Sequence, residues 1–249
     1  MKAPLCVFTM ARNEAVFLPL WLRYYARTGA DLVVLDHGSD DGSTNVDRGP
    51  RRFARVPVAN PTTDDAGWML RAVEETQREL LGRYEVVVYA EADEFLVPDP
   101  NYYSSLADFI SRRRAHLPLT ATGFEICDVG GASPIEFARD PIEGRGWRRN
   151  DRYDKTLICS APTSWEVGFH RPRGNPAITP DPGLFLLHLH YADREYGWKR
   201  LCERMRRAEP SPGDLGYQNK YRNRNDYDRN FDQETGGASP VPDWLLGVL

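Results

Sequence analysis

No uncharged apolar run in the 249-residue chain reaches the roughly 18 residues that span a bilayer, so no integral membrane segment is expected. Met1 to Met10 carries one basic residue and runs into Arg12 and Glu14, which does not read as a signal peptide or an anchor. Cysteine is scarce. Cys6, Cys127, Cys159 and Cys202 are far apart and three of them lie in apolar strand-like runs, which disfavours a zinc site or disulfide frame and fits a reducing cytoplasmic compartment. Charge of one sign is also lacking: 32 Lys and Arg face 36 Asp and Glu, a net −4, so no global positive field exists to hold nucleic acid. Neither a Walker loop nor a Gly-x-Gly-x-x-Gly fingerprint occurs, which removes support for a kinase or dinucleotide enzyme. There is no internal repeat.

What remains is enough apolar residue, 41% of the chain against 27% charged, to build an enzyme-sized globule. Strand-like and helix-like segments alternate through the first half, the pattern of βα units on a mostly parallel sheet. Leu5 to Thr9 reads as a strand, and Leu18, Trp21, Leu22 and Tyr25 follow at helical spacing. Asp31 to Leu35 is a second strand ending at Asp36 in a turn-rich segment, and Phe53 to Val58 a third. Asp64 and Asp65 open a helix carrying Met69, Ala72, Val73, Thr76 and Leu80 on one face, closed by Gly82. Tyr84 to Tyr89, with three consecutive valines, reads as a buried central strand. Ser105 and Asp108 cap a helix bearing Leu106, Phe109 and Ile110. Later strands are expected at Thr120 to Val129, Lys155 to Cys159, Glu166 to Phe169 and Leu184 to Tyr191, with a helix from about Asp193 to Ala208. Residues 1–208 are expected to form one domain, with a loop-rich tail over 209–249.

Ligands of open α/β sheets bind beyond the carboxyl ends of the strands, so the residues there are the first candidates. Glu91-Ala92-Asp93-Glu94 concentrates carboxylates at the exit of the valine-rich strand, and hard oxygen donors of this kind suit Mg²⁺ or Mn²⁺. A solvated loop with Glu94 as a cap is the plainer alternative. His188 and His190 are alternate residues at a strand end, so both imidazoles face one side, where they can complete a metal shell or hold a phosphate. Packing of one of them in the core is the competing account, and His170 shares that ambiguity. Lys155 and the Arg148, Arg149 and Arg152 group can hold a diphosphate or an anionic acceptor, or simply face solvent.

Three motifs in order, Thr9-Met10-Ala11-Arg12-Asn13-Glu14, Leu35-Asp36-His37-Gly38-Ser39-Asp40-Asp41-Gly42-Ser43-Thr44 and Glu91-Ala92-Asp93-Glu94-Phe95-Leu96, resemble those of the family 2 glycosyltransferases. The likeness is to the subgroup whose metal motif reads Asp-x-Asp-Glu-Phe-Leu, and it covers Leu5 to Val97, more loosely Lys155 to Lys199. It implies a GT-A fold, a nucleotide-binding α/β sandwich with the donor half at about residues 1–100 and the acceptor half at about 117–208. It further implies inverting, Mn²⁺- or Mg²⁺-dependent transfer of a sugar from a UDP- or GDP-linked donor to a glycan or small-molecule acceptor. By that resemblance Asp36 contacts the nucleobase or ribose, with Asn13, Glu14, Ser39, Asp41 and Lys155 completing nucleotide binding. Glu91 and Asp93 match the two ends of the metal motif, with Glu91 replacing the usual first aspartate, and His190 or His188 joins the metal.

An inverting displacement needs one carboxylate as general base toward the acceptor hydroxyl. Asp128, in a polar turn before Gly130, is the first candidate, followed by Glu125 and Glu166. Two other readings use the same acids: a nucleotidyltransferase or metal-dependent phosphohydrolase, and a catalytically silent nucleotide- or glycan-binding module.

Overall fold

The computed structural model describes residues 3–45, 53–58, 66–130, 132–174, 179–207 and 223–249. Its first half consists of β1 (Ala3–Ala11), α1 (Phe17–Ala26), β2 (Asp31–Asp36), β3 (Phe53–Pro57), α2 (Ala66–Leu81) and β4 (Tyr84–Tyr89). β1 lies between β2 and β4, all parallel, with Val7 opposite both Leu32 and Val88, and β3 continues the parallel set beyond β2. Cys6, Val7, Phe8, Val87 and Val88 are fully enclosed, as runs of apolar and β-branched residues covered on both faces must be. α1 buries Leu18, Trp21, Leu22 and Tyr25, the stripe expected from their spacing. α2 turns Leu70, Val73, Gln77 and Leu80 inward, while Asp64 and Asp65 fall outside the described residues.

The sheet then changes character. β5 (Glu94–Pro98), α3 (Leu106–Arg113), β6 (Leu119–Cys127), β7 (Gly146–Arg149), β8 (Thr156–Cys159) and β9 (Asp181–Tyr191) follow. Ser105 Oγ accepts the Asp108 N–H at 3.1 Å and so caps α3 as its sequence requires. β8 pairs antiparallel with β4 and β6, β7 antiparallel with β6, and β5 antiparallel with β9, whereas β9 and β6 are parallel. The fold is therefore α/β with a mixed ten-stranded sheet, and the parallel arrangement expected for most of it holds in the N-terminal half. The reason is β6: its nine residues serve β7, β8 and β9, and a strand shared in this way draws hairpin partners as well as crossovers.

Two expectations are corrected. Glu166 to Phe169 is a turn closed by a Trp165–Pro172 bridge, because Gly168 and Phe169 take φ of +86° and +60°, outside strand geometry. Of the segment expected as a loop-rich tail, residues 209–222 lie outside the described residues, and 223–249 are not mainly loop: after α4 (Arg194–Arg207), α5 (Arg224–Thr235) packs Tyr227 and Phe231 against Tyr191 and Leu201, and β10 (Ser239–Pro240) pairs with β7. Leu245 and Leu249 are buried in the main core. Gly197 in α4 makes room for Tyr227, whose hydroxyl would lie 2.4 Å from a Cβ there and would have to shift. Among the described residues no helix is long and apolar enough to cross a membrane.

Candidate metal centre

A cleft of about 720 Å³ opens where β1 and β4 end. The chain reaches it through Met10 to Glu14 at and beyond the end of β1, His37 after β2, and Glu91 to Asp93 after β4, the carboxyl-end location at which α/β sheets bind ligands. β9 forms the other side. It runs between β5 and β6, and its register sets Glu94 opposite His188 from one strand and Glu125 opposite His188 from the other. Two residues on, His190 presents its ring nearly parallel to that of His188, with centroids 5.5 Å apart.

Asp93, His188 and His190 each offer a ligand atom, and these atoms all lie within 4.8 Å of one another. His188 Nδ1 donates to Glu125 Oε1 at 2.9 Å, which fixes the ring and leaves Nε2 facing Asp93 Oδ2 at 3.8 Å. A carboxylate behind an imidazole in this way is the usual support of a metal-bound histidine. Burial opposes a charge on His188, but Glu125, Asp93 and Glu94 outweigh it and push its pKa up to about 9, so a metal ion bound there would displace the proton on Nε2. Burial together with the neighbouring His188 and Arg200 presses His190 down to about 3, so its ring is neutral, the form in which imidazole ligates. Asp93 is held well below the usual carboxylate range: burial works against its charge and Arg200, His188 and His190 prevail. One carboxylate with two imidazoles is a donor set that fits Mn²⁺ better than Mg²⁺, which prefers oxygen alone.

The remaining acids of the motif are engaged elsewhere. Lys155, 1% exposed, donates to Glu91 Oε2 at 2.9 Å and to Glu94 Oε1 at 2.5 Å, while the Glu91 N–H donates to Glu94 Oε2 at 3.1 Å. Burial and Glu91 push Glu94 up to about 7 against the pull of Lys155, and the two carboxylates raise Lys155 further above its usual value although burial acts the other way. Glu91 thus lines the cleft outside the Asp93 group, and Lys155 is a clamp on the acidic loop rather than a free cation. Its place at the start of β8 puts the ammonium under the end of β4.

Asp36, Ser39 and Asp41 do not line the cleft. Asp36, 3% exposed, accepts from the Ser39 N–H at 2.9 Å and pairs with Arg55, and these partners lower its pKa although burial alone would raise it. Ser39 Oγ accepts the Asn13 N–H at 3.1 Å, and Asp41 Oδ2 accepts the Ala15 N–H at 3.2 Å. Asn13, at φ +56°, exchanges hydrogen bonds with Asp40 through both ends of its amide. This polar set staples the loop after β2 to the loop after β1, which carries Asn13 and Glu14 into the cleft.

Of the three candidate bases only Glu125 reaches the cleft. Asp128 folds back on the Gly130 N–H at 2.9 Å and lines a separate hollow with Arg194 and Asp232. Glu166 is exposed at the turn that replaced the expected strand, while its neighbours Val167 to Arg171 line the cleft. Glu125 is fully buried, and its Oε2 has no hydrogen-bond partner among the described residues. A carboxylate oxygen so placed is costly unless a donor reaches it.

Sequence reasoning missed two residues. Arg200, 14% exposed, donates to Asp93 Oδ2 and to Glu14 Oε1, each at 2.7 Å, from α4. The signal was the repeat of Arg200 and Arg204 one turn apart, beside the apolar stripe of Trp198, Leu201, Cys202 and Met205. Tyr153 stacks on His188 with centroids 4.1 Å apart and meets His170 edge-on at 5.3 Å. Its approach depends on Gly123, where a Cβ would lie 2.4 Å from the Tyr153 carbonyl carbon. The Val167–Arg171 wall is held by Phe169, a strained aromatic at positive φ whose ring is buried against Tyr89 at 4.6 Å. Such a residue costs about 1–3 kcal/mol and persists only where its surroundings fix it.

No family model matches the chain, and no curated protein matches it.

Proposed function

We propose that this protein is a GT-A-type glycosyltransferase that moves a sugar, with inversion, from a nucleoside-diphosphate donor to an acceptor hydroxyl, using Mn²⁺ or a similar ion. The observation that carries the reading is the meeting of Asp93, His188 and His190 within 4.8 Å at the exit of β4, inside a cleft large enough for a nucleotide-sugar. It agrees with the three ordered motifs in the sequence, and the N-terminal parallel strands suit a nucleotide.

Asp93, His188 and His190 would hold the cation, which would supply positive charge against a departing diphosphate. The chain's own residues do the rest. Glu125 holds His188 through Oε1, and its enclosed, unpartnered Oε2 is the base that would take the proton of an acceptor hydroxyl entering beside it. Arg200 steadies Asp93, and Lys155 keeps Glu91 and Glu94 from repelling it out of place.

The same buried Glu125 oxygen would serve a metal-dependent phosphohydrolase by activating water. A melting-temperature panel of UDP and GDP with and without Mn²⁺ tests the first reading, since a ligand that binds only the native state stabilises it. Mn²⁺-dependent stabilisation that vanishes in Asp93→Ala is expected; no diphosphate effect with any divalent ion would refute both enzyme readings, and turnover of free nucleoside triphosphate would favour hydrolysis.

A further inference from the structure

Arg12, Arg152, Lys155, Arg171, Arg200 and Arg204 are the lysine and arginine side chains lining the cleft among the described residues. Lys155 is neutralised by Glu91 and Glu94, and Arg200 by Glu14 and Asp93. Arg12 and Arg204 also have interactions of their own. The side chains of Arg152 and Arg171 have no hydrogen-bond or ion-pair partner among the described residues. Both line the one cleft, and Arg152 also borders a neighbouring hollow with Arg148 and Arg149. The Arg152 carbonyl and His170 Nδ1 are 2.6 Å apart, which ties the turn carrying Arg152 to the loop carrying Arg171.

Their distance from the metal group is set by a row of rings. His190 lies against His188 at 5.5 Å, His188 against Tyr153 at 4.1 Å, and Tyr153 against His170 at 5.3 Å. Arg152 neighbours Tyr153 on the β7–β8 connection and Arg171 neighbours His170 on the β8–β9 connection, so both stand at the far end of that row, and the loops after β1, β2 and β4 line the same cleft. A sugar lying along the row would carry its outer substituent toward the connections that bear the two guanidiniums. Val167, 58% exposed, lines the same cleft and offers an apolar contact to the ring.

We propose that Arg152 and Arg171 form an oxyanion subsite for the acceptor, which is a sugar or similar hydroxyl compound carrying a carboxylate or phosphate. Guanidiniums are matched to such groups by their paired N–H donors, and free ones at a cleft mouth also draw an anion in from solution. The proposal rests on the glycosyltransferase reading for the word acceptor, but the anion binding does not need the metal.

The test is calorimetric titration of the full chain, without divalent ion, with glucose, glucuronate and glucose 6-phosphate, which share a ring and differ in the outer group. Wild type is expected to bind one of the two anionic sugars at least about tenfold more tightly than glucose. Glucuronate against glucose 6-phosphate then tells carboxylate from phosphate. In Arg152→Gln/Arg171→Gln, both side chains being exposed and the melting temperature serving as a folding check, that preference should disappear. Arg112→Gln, on an exposed side chain remote in the sequence, should retain it.

No preference in wild type, or a preference that survives the double substitution, would overturn the proposal. A parallel titration with UDP and Mn²⁺ separates the sources of the anion. Loss of UDP affinity in the double variant without any preference among the sugars would assign the arginines to a donor diphosphate and refute the acceptor subsite. Absence of UDP binding with the sugar preference intact would remove the glycosyltransferase reading and leave the anion site standing.

Discussion

Arg200 Nη1 donates to Asp93 Oδ2 at 2.7 Å, the same oxygen that His188 Nε2 faces at 3.8 Å. The guanidinium thus stands where positive charge is wanted beside the candidate ligand, and its second arm on Glu14 ties α4 to the loop after β1. Arg200→Gln leaves two enclosed carboxylates without their counter-charge and should destabilise the fold by about 3 kcal/mol. Mn²⁺ should then raise the melting temperature of the variant more than that of wild type, because the ion supplies the charge removed. An equal or smaller shift in the variant would show that the ion does not bind at Asp93.

Gly123→Ala puts a methyl group against the Tyr153 carbonyl and must displace the turn that lays Tyr153 on His188. A loss of about 1–3 kcal/mol is expected by urea denaturation, as for other overpacked sites. Unchanged stability would mean that the turn moves freely and does not support the histidine.

Asp36 titrates below its ordinary value because the Ser39 N–H and Arg55 favour its ionised form. A depressed folded pKa contributes stability above the unfolded pKa and loses it as pH falls through the folded one. Arg55→Met should therefore be less stable than wild type near neutral pH, and the difference should close as pH drops below the ordinary carboxylate value of about 4. A difference that persists undiminished in acid would exclude the Arg55–Asp36 pair as its source.

Burial pushes the thiols of Cys6 and Cys127 up to about 12 and that of Cys159 up to about 11, so they are protonated and enclosed. Cys202, half-buried on α4, is the exception. Mass spectrometry after brief iodoacetamide treatment of the native protein should find Cys202 alkylated and the other three only after unfolding. Comparable labelling of Cys6, in the centre of the parallel sheet, would contradict the strand order.

Local pattern was sufficient for β1, α1, β2, β4 and the Ser105-capped α3, because each carries its own period and its own stop signal. The same pattern led to Asp93, His188 and His190 as residues at strand ends. It could not reveal that β9 lies between β5 and β6, since strand partners so distant in sequence leave no local trace, and with them went the pairing of Glu125 with His188. Lys155 misled for a related reason: a lysine before an apolar strand looks like a free cation until its two carboxylates are seen. α5 was hidden because only Tyr227, Phe231 and Thr235 of its twelve residues are buried, too thin a stripe in so polar a segment. The turn at Gly168 and Phe169 overrode an apolar stretch that otherwise suits a strand.

Direct binding of Mn²⁺ to the full chain, followed by electron spin echo envelope modulation for coupled imidazole nitrogen, is the sharpest measurement. A single site with nitrogen coupling is expected, lost in Asp93→Ala and weakened in His190→Ala. Binding of equal strength in wild type and Asp93→Ala, or a bound ion with no nitrogen coupling, would contradict a centre built from Asp93, His188 and His190.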